Sequence, residues 1–532
     1  MPQKKPIFIT ITALCLVLAM LTAFTACGSA SPETDDPSAS GATAERADFI
    51  QKSPDAAVKY EMLWYYAGDQ ASWLDIDLVN AAINQRFADM GHSGLSVRLR
   101  PLDTSVYMQR AVSIVMSGED YDMMYAPNTG NLLGIARAID AWQPWDGLIE
   151  VIPEYHKLVS PYVPMALEPG PDGVPRLYRI FTMKDLASVN CALHFNKTVA
   201  DAMGISAELY AVTSPQELDA YLRRFMEAYP ERPPFLAGGS AALCNFFRDG
   251  GDPLGVYYDS VTDDYRIGVY EQWFADYQSL LRRWYSEGFI PDYVLERTDA
   301  EMIRQYGAEG FLISFGAGRP SGEAHMNAGV DPATGNYWGE TWLSAPVMTR
   351  DSILRSSFGM SAGCKNPQTA AFIYEMICLD PTLNNLLNFG REGIDYSFDG
   401  TGRMVPTQPE RYWPSLAGQV GNLYISNPIV GEPLDLGAKY DEFNKNSALW
   451  NNAGFFEPHP ASDAQYFIIN NCPNPEAVNV EINAIRSQYE RPMLCGTLSD
   501  SDIGDIKARL EEVGAQAYVD VLNLAYDNWK KR

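Results

Sequence analysis

Val58-Lys59-Tyr60-Glu61-Met62-Leu63-Trp64-Tyr65-Tyr66 is an apolar, aromatic run of strand length, and the elements after it set the fold. Asp75–Met90 carries Ile76, Val79, Ile83, Phe87 and Met90 at helical spacing. Leu95–Leu99 alternates as a strand, and Thr104–Ser117 returns to helix with Tyr107, Ala111, Ile114 and Val115 inward. Tyr121–Tyr125 reads as a third strand. A β-α-β-α-β order implies parallel strands with right-handed crossovers. Small molecules bind such sheets beyond the carboxyl ends of the strands. Here those ends are Trp64-Tyr65-Tyr66-Ala67-Gly68-Asp69 and Tyr125-Ala126-Pro127-Asn128.

A second α/β unit begins near Ala187. Ser214-Pro215-Gln216-Glu217 has the form of a capping box opening a helix to about Tyr229. Trp273, Tyr277, Leu280, Leu281 and Trp284 mark one face of another helix, and Gly310–Phe315 a buried strand. Ser352–Met360 reads as a strand leading into the helix Pro367–Cys378. The last helix is Ala515–Trp529, with Tyr518, Val521, Leu522, Ala525 and Trp529 on one face. No internal repeat or coiled coil is visible.

The chain has 532 residues, 46% of them hydrophobic and 20% charged, which excludes disorder throughout. Its formal charge of −27 repels phosphate backbones and argues against a nucleic-acid binder. At the N-terminus, Lys4 and Lys5 precede an uncharged apolar run from Ile7 to Phe24, then Thr25-Ala26-Cys27. This is the layout of a secretory signal peptide, residues 1–26, with Cys27 as the lipid-carrying residue after cleavage. An uncleaved signal anchor would also leave the rest of the chain outside the cytoplasm. Residues 27–57 are rich in Ser, Ala, Pro and Asp and read as a flexible tether with a coil span of roughly 30 Å. The cysteines beyond the tether, Cys191, Cys244, Cys364, Cys378, Cys472 and Cys495, form no CxxC pair and read as buried free thiols.

Several motifs resemble one family in order and spacing. They are Leu63-Trp64-Tyr65-Tyr66-Ala67-Gly68, Ser117-Gly118-Glu119-Asp120-Tyr121-Asp122 and Asn388-Phe389-Gly390-Arg391-Glu392-Gly393-Ile394-Asp395-Tyr396. Gly421-Asn422, Asn446-Ser447-Ala448, Gly454-Phe455 and Cys495-Gly496-Thr497 extend the match across residues 58–532. The chain resembles extracellular solute-binding lipoproteins of carbohydrate ABC transporters, of the maltodextrin-binding type and LipO-like. The resemblance implies a type II, two-lobed periplasmic-binding-protein-like α/β fold, with interleaved lobes joined by a hinge. Lobe one would be 58–182 plus 352–395, and lobe two 183–351 plus 396–532. A monomer is the default expectation, the residue pattern calls for no cofactor or metal, and the Cys27 lipid would anchor the chain on the extracellular face of a bacterial, Gram-positive membrane. The partners the resemblance implies are an oligosaccharide or other small ligand and ABC permease subunits with a cytoplasmic ATPase. The sequence departs from the family at Ala67, where proline is usual, and at Gly316-Ala317-Gly318-Arg319, which lacks the stacking Trp of the maltodextrin relatives.

A sugar site needs aromatic platforms and planar hydrogen-bonding groups. Trp64 and Tyr66 at a strand's carboxyl end fit either a cleft wall or core packing, and Asp69 either a ligand contact or a helix N-terminal charge. Asp122, Tyr125 and Asn128 flank the third strand, with a buried structural pairing as the other reading of Asp122. Arg248 could reach the cleft from lobe two, and Trp413 lies in a stretch that approaches the groove in the resembled family.

Two catalytic or metal patterns are superficial. Gly359-Met360-Ser361-Ala362-Gly363 has the G-x-S-x-G form, with Asp395 and His459 downstream, yet Cys364-Lys365-Asn366-Pro367 separates it from its helix. Asp500-Ser501-Asp502 with Glu511 has Gly504 one position early for a calcium loop, and helix capping explains it better. The expectation is therefore a receptor and not an enzyme. A surface hydrolase on glycans or esters, a peptide receptor and a sensor or adhesion lipoprotein are the alternatives.

Overall fold

The computed structural model describes residues 58–68, 75–104, 106–127, 132–170, 174–236, 240–295, 311–320, 338–407, 420–449, 471–472 and 474–531. The elements that position the site run in this order. First come β1 (Tyr60–Ala67), α1 (Ile76–Asp89), β2 (Leu95–Leu102), α2 (Tyr107–Ser117), β3 (Met123–Tyr125), β4 (Trp142–Gln143) and β5 (Arg179–Phe181). Next come β6 (Val189–Asn196), α3 (Gln272–Ser286), β7 (Ile313–Gly318), β8 (Trp338–Trp342), β9 (Ser357–Ser361) and α4 (Pro367–Leu379). The chain closes with α5 (Leu436–Asn446), α6 (Pro475–Leu494), α7 (Asp500–Glu512) and α8 (Ala515–Lys530).

The first core is built on a six-stranded sheet in the order β2-β1-β3-β9-β4, with β5 also on β9. β1 is parallel to β2 and to β3, as the β-α-β-α-β pattern requires. Its alternation puts Met62, Trp64 and Tyr66 on one buried face. α1 starts on Asp75, whose carboxylate accepts from the Leu78 amide, and buries Val79, Ile83 and Phe87. The same helix covers the outer edge of β2. Asn80 accepts from the Leu99 amide at 3.0 Å, and Asn84 from the Val97 amide at 2.8 Å. Backbone groups that could recruit another strand are thereby satisfied within the chain.

β9 runs antiparallel to β3, β4 and β5. The run read from sequence as one strand, Ser352–Met360, is in fact a short helix, Arg350–Leu354, followed by β9. Thr349 and Ser352 exchange capping bonds that start the helix. A second local correction concerns Ser214. Its hydroxyl accepts from the Gln216 amide and opens a 3-10 turn, Pro215–Leu218, before the helix Asp219–Ala228. The Glu217 carboxylate reaches Thr213 instead.

The second core holds an antiparallel sheet in the order β7-β6-β8, together with α3 and the helices α6, α7 and α8. Trp273, Tyr277, Leu280, Leu281 and Trp284 of α3 are all buried there, as their spacing predicts. Val420, Tyr424 and Phe443 pack on the first core, while Phe389, Tyr396, Met404 and Ile429 form a small core of their own.

The chain passes between the two main cores through Thr182–Ser188, from β5 to β6, and returns through Leu343–Ser356, from β8 to β9. The two crossings lie side by side, since Ser188 and Val347 exchange backbone hydrogen bonds at 2.8 and 2.9 Å. Val347–Met348 also pairs in parallel with Ala448–Leu449. A narrow band of backbone therefore joins the lobes, the form expected of a hinge.

Candidate functional site at the crossing between lobes

A chain of polar contacts runs from the carboxyl end of β3 through the crossings to the second sheet. Tyr125 donates its hydroxyl to the Arg355 carbonyl at 3.1 Å. The Arg355 guanidinium in turn reaches the carbonyls of Asp185 and Ala187 at 3.4 and 3.5 Å. The Asp185 carboxylate accepts from Arg319, which follows β7, at 3.2 Å and lies 3.6 Å from the Lys184 ammonium. Glu340 on β8 gathers three donors: the Arg319 amide at 3.2 Å, the Trp342 indole at 2.5 Å, and His194 at 3.1 Å. Asn444 on α5 ties the first crossing, accepting from the Leu186 amide and donating to the Lys184 carbonyl.

Two of these side chains face outward. Trp342 is 39% exposed and its ring meets Phe443 edge-on at 5.7 Å, while the Arg319 side chain is 33% exposed. The Trp342 indole and the Arg319 backbone amide share one oxygen of Glu340, while the Arg319 guanidinium turns to Asp185. The indole supplies a platform for the C–H face of a ring and the guanidinium a planar donor for its hydroxyls. Nearby, Tyr424 and Tyr440 stack at 6.4 Å with 7° between planes, and Asn444 fixes the Tyr424 hydroxyl.

Glycines make this arrangement fit. A Cβ on Gly318 would come within 2.7 Å of the Trp342 indole nitrogen, and one on Gly316 within 2.7 Å of the His194 ring. Glycines alternating in a strand signal close approach of a neighbour. The same Gly316–Arg319 stretch, read from sequence as lacking an aromatic, clears the space that Trp342 occupies from another strand.

Lys184 is almost fully buried. Burial pulls its ammonium down to about 8, with Asp185 opposing and Arg355 and Arg319 adding to the fall. The unfolded chain then binds more protons than the folded one between about pH 8 and the ordinary lysine value of 10.5. Stability gained from neutralising Lys184 must therefore rise with pH across that window. In Lys184→Met this rise is expected to flatten by up to about 1.4 kcal/mol per pH unit. Urea midpoints at pH 8, 9 and 10 check it, and an unchanged slope would refute it.

The residues singled out from sequence fall differently. Trp64 and Tyr66 are 0% and 1% exposed and pack inside the first core, which corrects the cleft reading for both. Trp64 meets Phe358 edge-on at 5.2 Å and Tyr374 at 5.8 Å. Asp122 is also structural: it accepts from the Tyr60 hydroxyl at 2.6 Å and the Leu63 amide at 2.7 Å, clasping β3 to β1. Tyr125 is buried but belongs to the network through its hydroxyl. Arg248 pairs with Asp259 at 3.2 Å. Asp69, Asn128, Trp413 and Cys27 lie outside the described residues, as do Trp450 and His459. Lys184, Asp185, Arg319, Glu340, Trp342 and Arg355 were not singled out as ligand contacts, because the bonds that bring Arg319 and Arg355 to Asp185 span 134 and 170 residues.

The catalytic-looking motifs have ordinary partners. The Ser361 hydroxyl accepts from the Gly363 amide at 3.1 Å in the turn after β9, and Asp395 binds Arg391 at 2.9 Å. Ser499 caps α7 by exchanging bonds with Asp502, as expected in place of a calcium loop. Among the described residues no group of three or more His, Cys, Asp or Glu is placed to hold a metal ion. The six cysteines are free and buried, and burial pushes Cys191, Cys244, Cys364 and Cys495 up to about 12, so these thiols stay protonated and inert.

No family model and no curated protein sequence matches the chain. Solved structures do. The N-glycan transport solute-binding protein NgtS of Streptococcus pneumoniae superposes with a TM-score of 0.67 at 17% identity, covering 89% of this chain and 100% of that one. An HMO-binding, ABC-transporter-associated solute-binding protein of Bifidobacterium longum infantis gives 0.56 at 14%, over 88% and 99%. The S. pneumoniae ABC-transporter substrate-binding protein FusA, in complex with kestose, gives 0.55 at 14%, over 89% and 100%. At these identities the likeness shows the fold, the two-lobed periplasmic-binding-protein-like architecture.

Proposed function

We propose that this chain is the solute-binding component of an ABC importer, which captures an oligosaccharide between its lobes and delivers it to a permease. The observation that carries this reading is the near-complete superposition, over 89% of the chain and 100% of NgtS, with a protein that binds glycans for transport. Hinge closure over a ligand is a population shift, and the chemistry needed is recognition without bond cleavage. Trp342 would stack on a sugar ring, Arg319 would bond its hydroxyls, and Asp185 with Glu340 would hold Arg319 in place. In this reading Cys27 carries a lipid that keeps the protein on the extracellular face of the membrane. Permease subunits with a cytoplasmic ATPase would receive the closed form. Asp69, Asn128 and Trp413 remain proposed ligand contacts.

Thermal shift of the purified full chain against Man5GlcNAc, kestose and short peptides tests the proposal. A ligand at 100 times its Kd stabilises by about 2.7 kcal/mol, a readily measured shift. Trp342→Ala is expected to weaken a binding oligosaccharide by about tenfold or more, with a stability change below about 1 kcal/mol at this half-exposed position. A response to peptides alone would keep the fold and overturn the substrate. Turnover of a glycan or ester that disappears in Ser361→Ala would instead favour a hydrolase.

A further inference from the structure

The strands Val256–Asp259 and Asp264–Ile267 form an antiparallel hairpin against the C-terminal helices of the second core. Beside α6 and α8 this hairpin walls a cavity of about 400 Å³ that shares no lining residue with the crossing network. We propose that the cavity is a second binding site, for one or two rings of a neutral saccharide.

Tyr258 and its cross-strand partner Tyr265 lie on one face of the hairpin and Tyr257 on the other, all three buried. Tyr257 accepts from the Trp273 indole at 2.9 Å, and Tyr258 donates to Asp263 at 2.7 Å. These three tyrosines are only 5–6% exposed, so the aromatic carbon left open to the cavity is that of Tyr518. Tyr518 on α8 is half-buried, and its hydroxyl has no partner among the described residues. The α6 wall is polar. Asn479 and Asn483 lie one helical turn apart on α6 and so share a face. The Asn479 amide has no partner among the described residues, and Asn483 uses its oxygen for Arg486 while keeping its NH2.

Charge narrows the ligand. Arg486 is the one Lys, Arg, Asp or Glu in the lining among the described residues, and its guanidinium is paired with Asp252. A side chain at Gly255 would strike both partners of that pair, so the glycine allows the rim to close. A neutralised rim offers little to a phosphate or carboxylate. Aromatic carbon together with carboxamides suits the C–H faces and hydroxyls of a sugar. The volume lies at the small end of ligand pockets, about 300–1,000 Å³, which sets the limit of one or two rings.

The test is saturation-transfer NMR of the full chain with cellobiose and with N,N′-diacetylchitobiose. Three proteins are compared: wild type, the cleft variant Trp342→Ala/Arg319→Ala, and Asn479→Arg, an exposed change that fills the cavity mouth without touching the core. Transfer to at least one disaccharide should persist in the cleft variant and fall at least fivefold in Asn479→Arg at unchanged Tm. Tyr518→Ala should lower it as well. No saturable transfer in wild type, loss of all transfer in the cleft variant, or full retention in Asn479→Arg would each overturn the proposal. The importer reading fails separately, if wild type shows no thermal shift with Man5GlcNAc, kestose or the peptides.

Discussion

Glu168→Ala is expected to destabilise the first lobe by about 3–5 kcal/mol, the cost of stranding a buried charge. Glu168 is 2% exposed and Arg179 3%. One Glu168 oxygen accepts from Arg179 Nη2 at 2.5 Å and from Arg350 at 2.8 Å, and the other accepts from Arg179 Nε at 3.0 Å. Truncation removes these bonds at once and leaves the Arg179 guanidinium in the core without its carboxylate. Since domains are stable by only about 5–15 kcal/mol, such a loss takes a large share of the total. Glu168→Gln, which keeps an acceptor and loses the charge, should fall between wild type and Ala. Glu168→Leu with Arg179→Met should recover most of the loss, because apolar replacements of buried pairs are often neutral. Urea midpoints of the full chain measure all three, and a cost below about 1 kcal/mol for Glu168→Ala would mean that water reaches the pair. The site should respond too. Arg179 Nη1 and the Ser357 hydroxyl both hold the Ala126 carbonyl, directly after β3, so ligand affinity should fall with the pair.

The contrast between what periodicity reveals and what it hides tracks sequence separation. β1, α1, β2 and α2 were legible because each is amphipathic by itself, and β3, a short strand buried throughout, because it follows them in a βαβ order of elements adjacent in space. α3 was legible for the same reason, whereas on α8 only Leu522 and Ala525 of the expected face are buried, and Val519 and Tyr526 join them while Tyr518, Val521 and Trp529 sit at the margin. β9 was not delimited. It lies in the middle of the sheet, buried throughout as Ser357-Phe358-Gly359-Met360-Ser361, with no alternation to mark where the preceding helix ends. The crossing network was hidden for a different reason. Asp185, Arg319, Glu340 and Arg355 are ordinary charged residues until four segments converge, and only the glycines at 316 and 318 hint that something large packs over β7. Trp64 is the opposite case, a conspicuous aromatic at a plausible position that the alternation of β1 turns inward.

That inward turn yields a prediction separating the two readings of Trp64. A cleft platform replaced by Ala would cost affinity and leave stability nearly intact. A core indole replaced by Ala should cost about 3–5 kcal/mol and lower Tm, whatever the ligand. The structure supports the second outcome, since the ring is fully buried against Phe358 and Tyr374. Trp64→Phe sharpens the distinction. Among the described residues the buried Trp64 indole N–H has no hydrogen-bond acceptor, so Phe keeps most of the ring contact and relieves an unsatisfied donor. Phe should therefore cost much less than Ala, by about 2 kcal/mol or more, while both variants, where folded, keep the ligand-induced rise in Tm. If Ala instead left Tm within about a degree of wild type and abolished that rise, Trp64 would have to leave the core when ligand binds, and β1 would be part of the moving machinery.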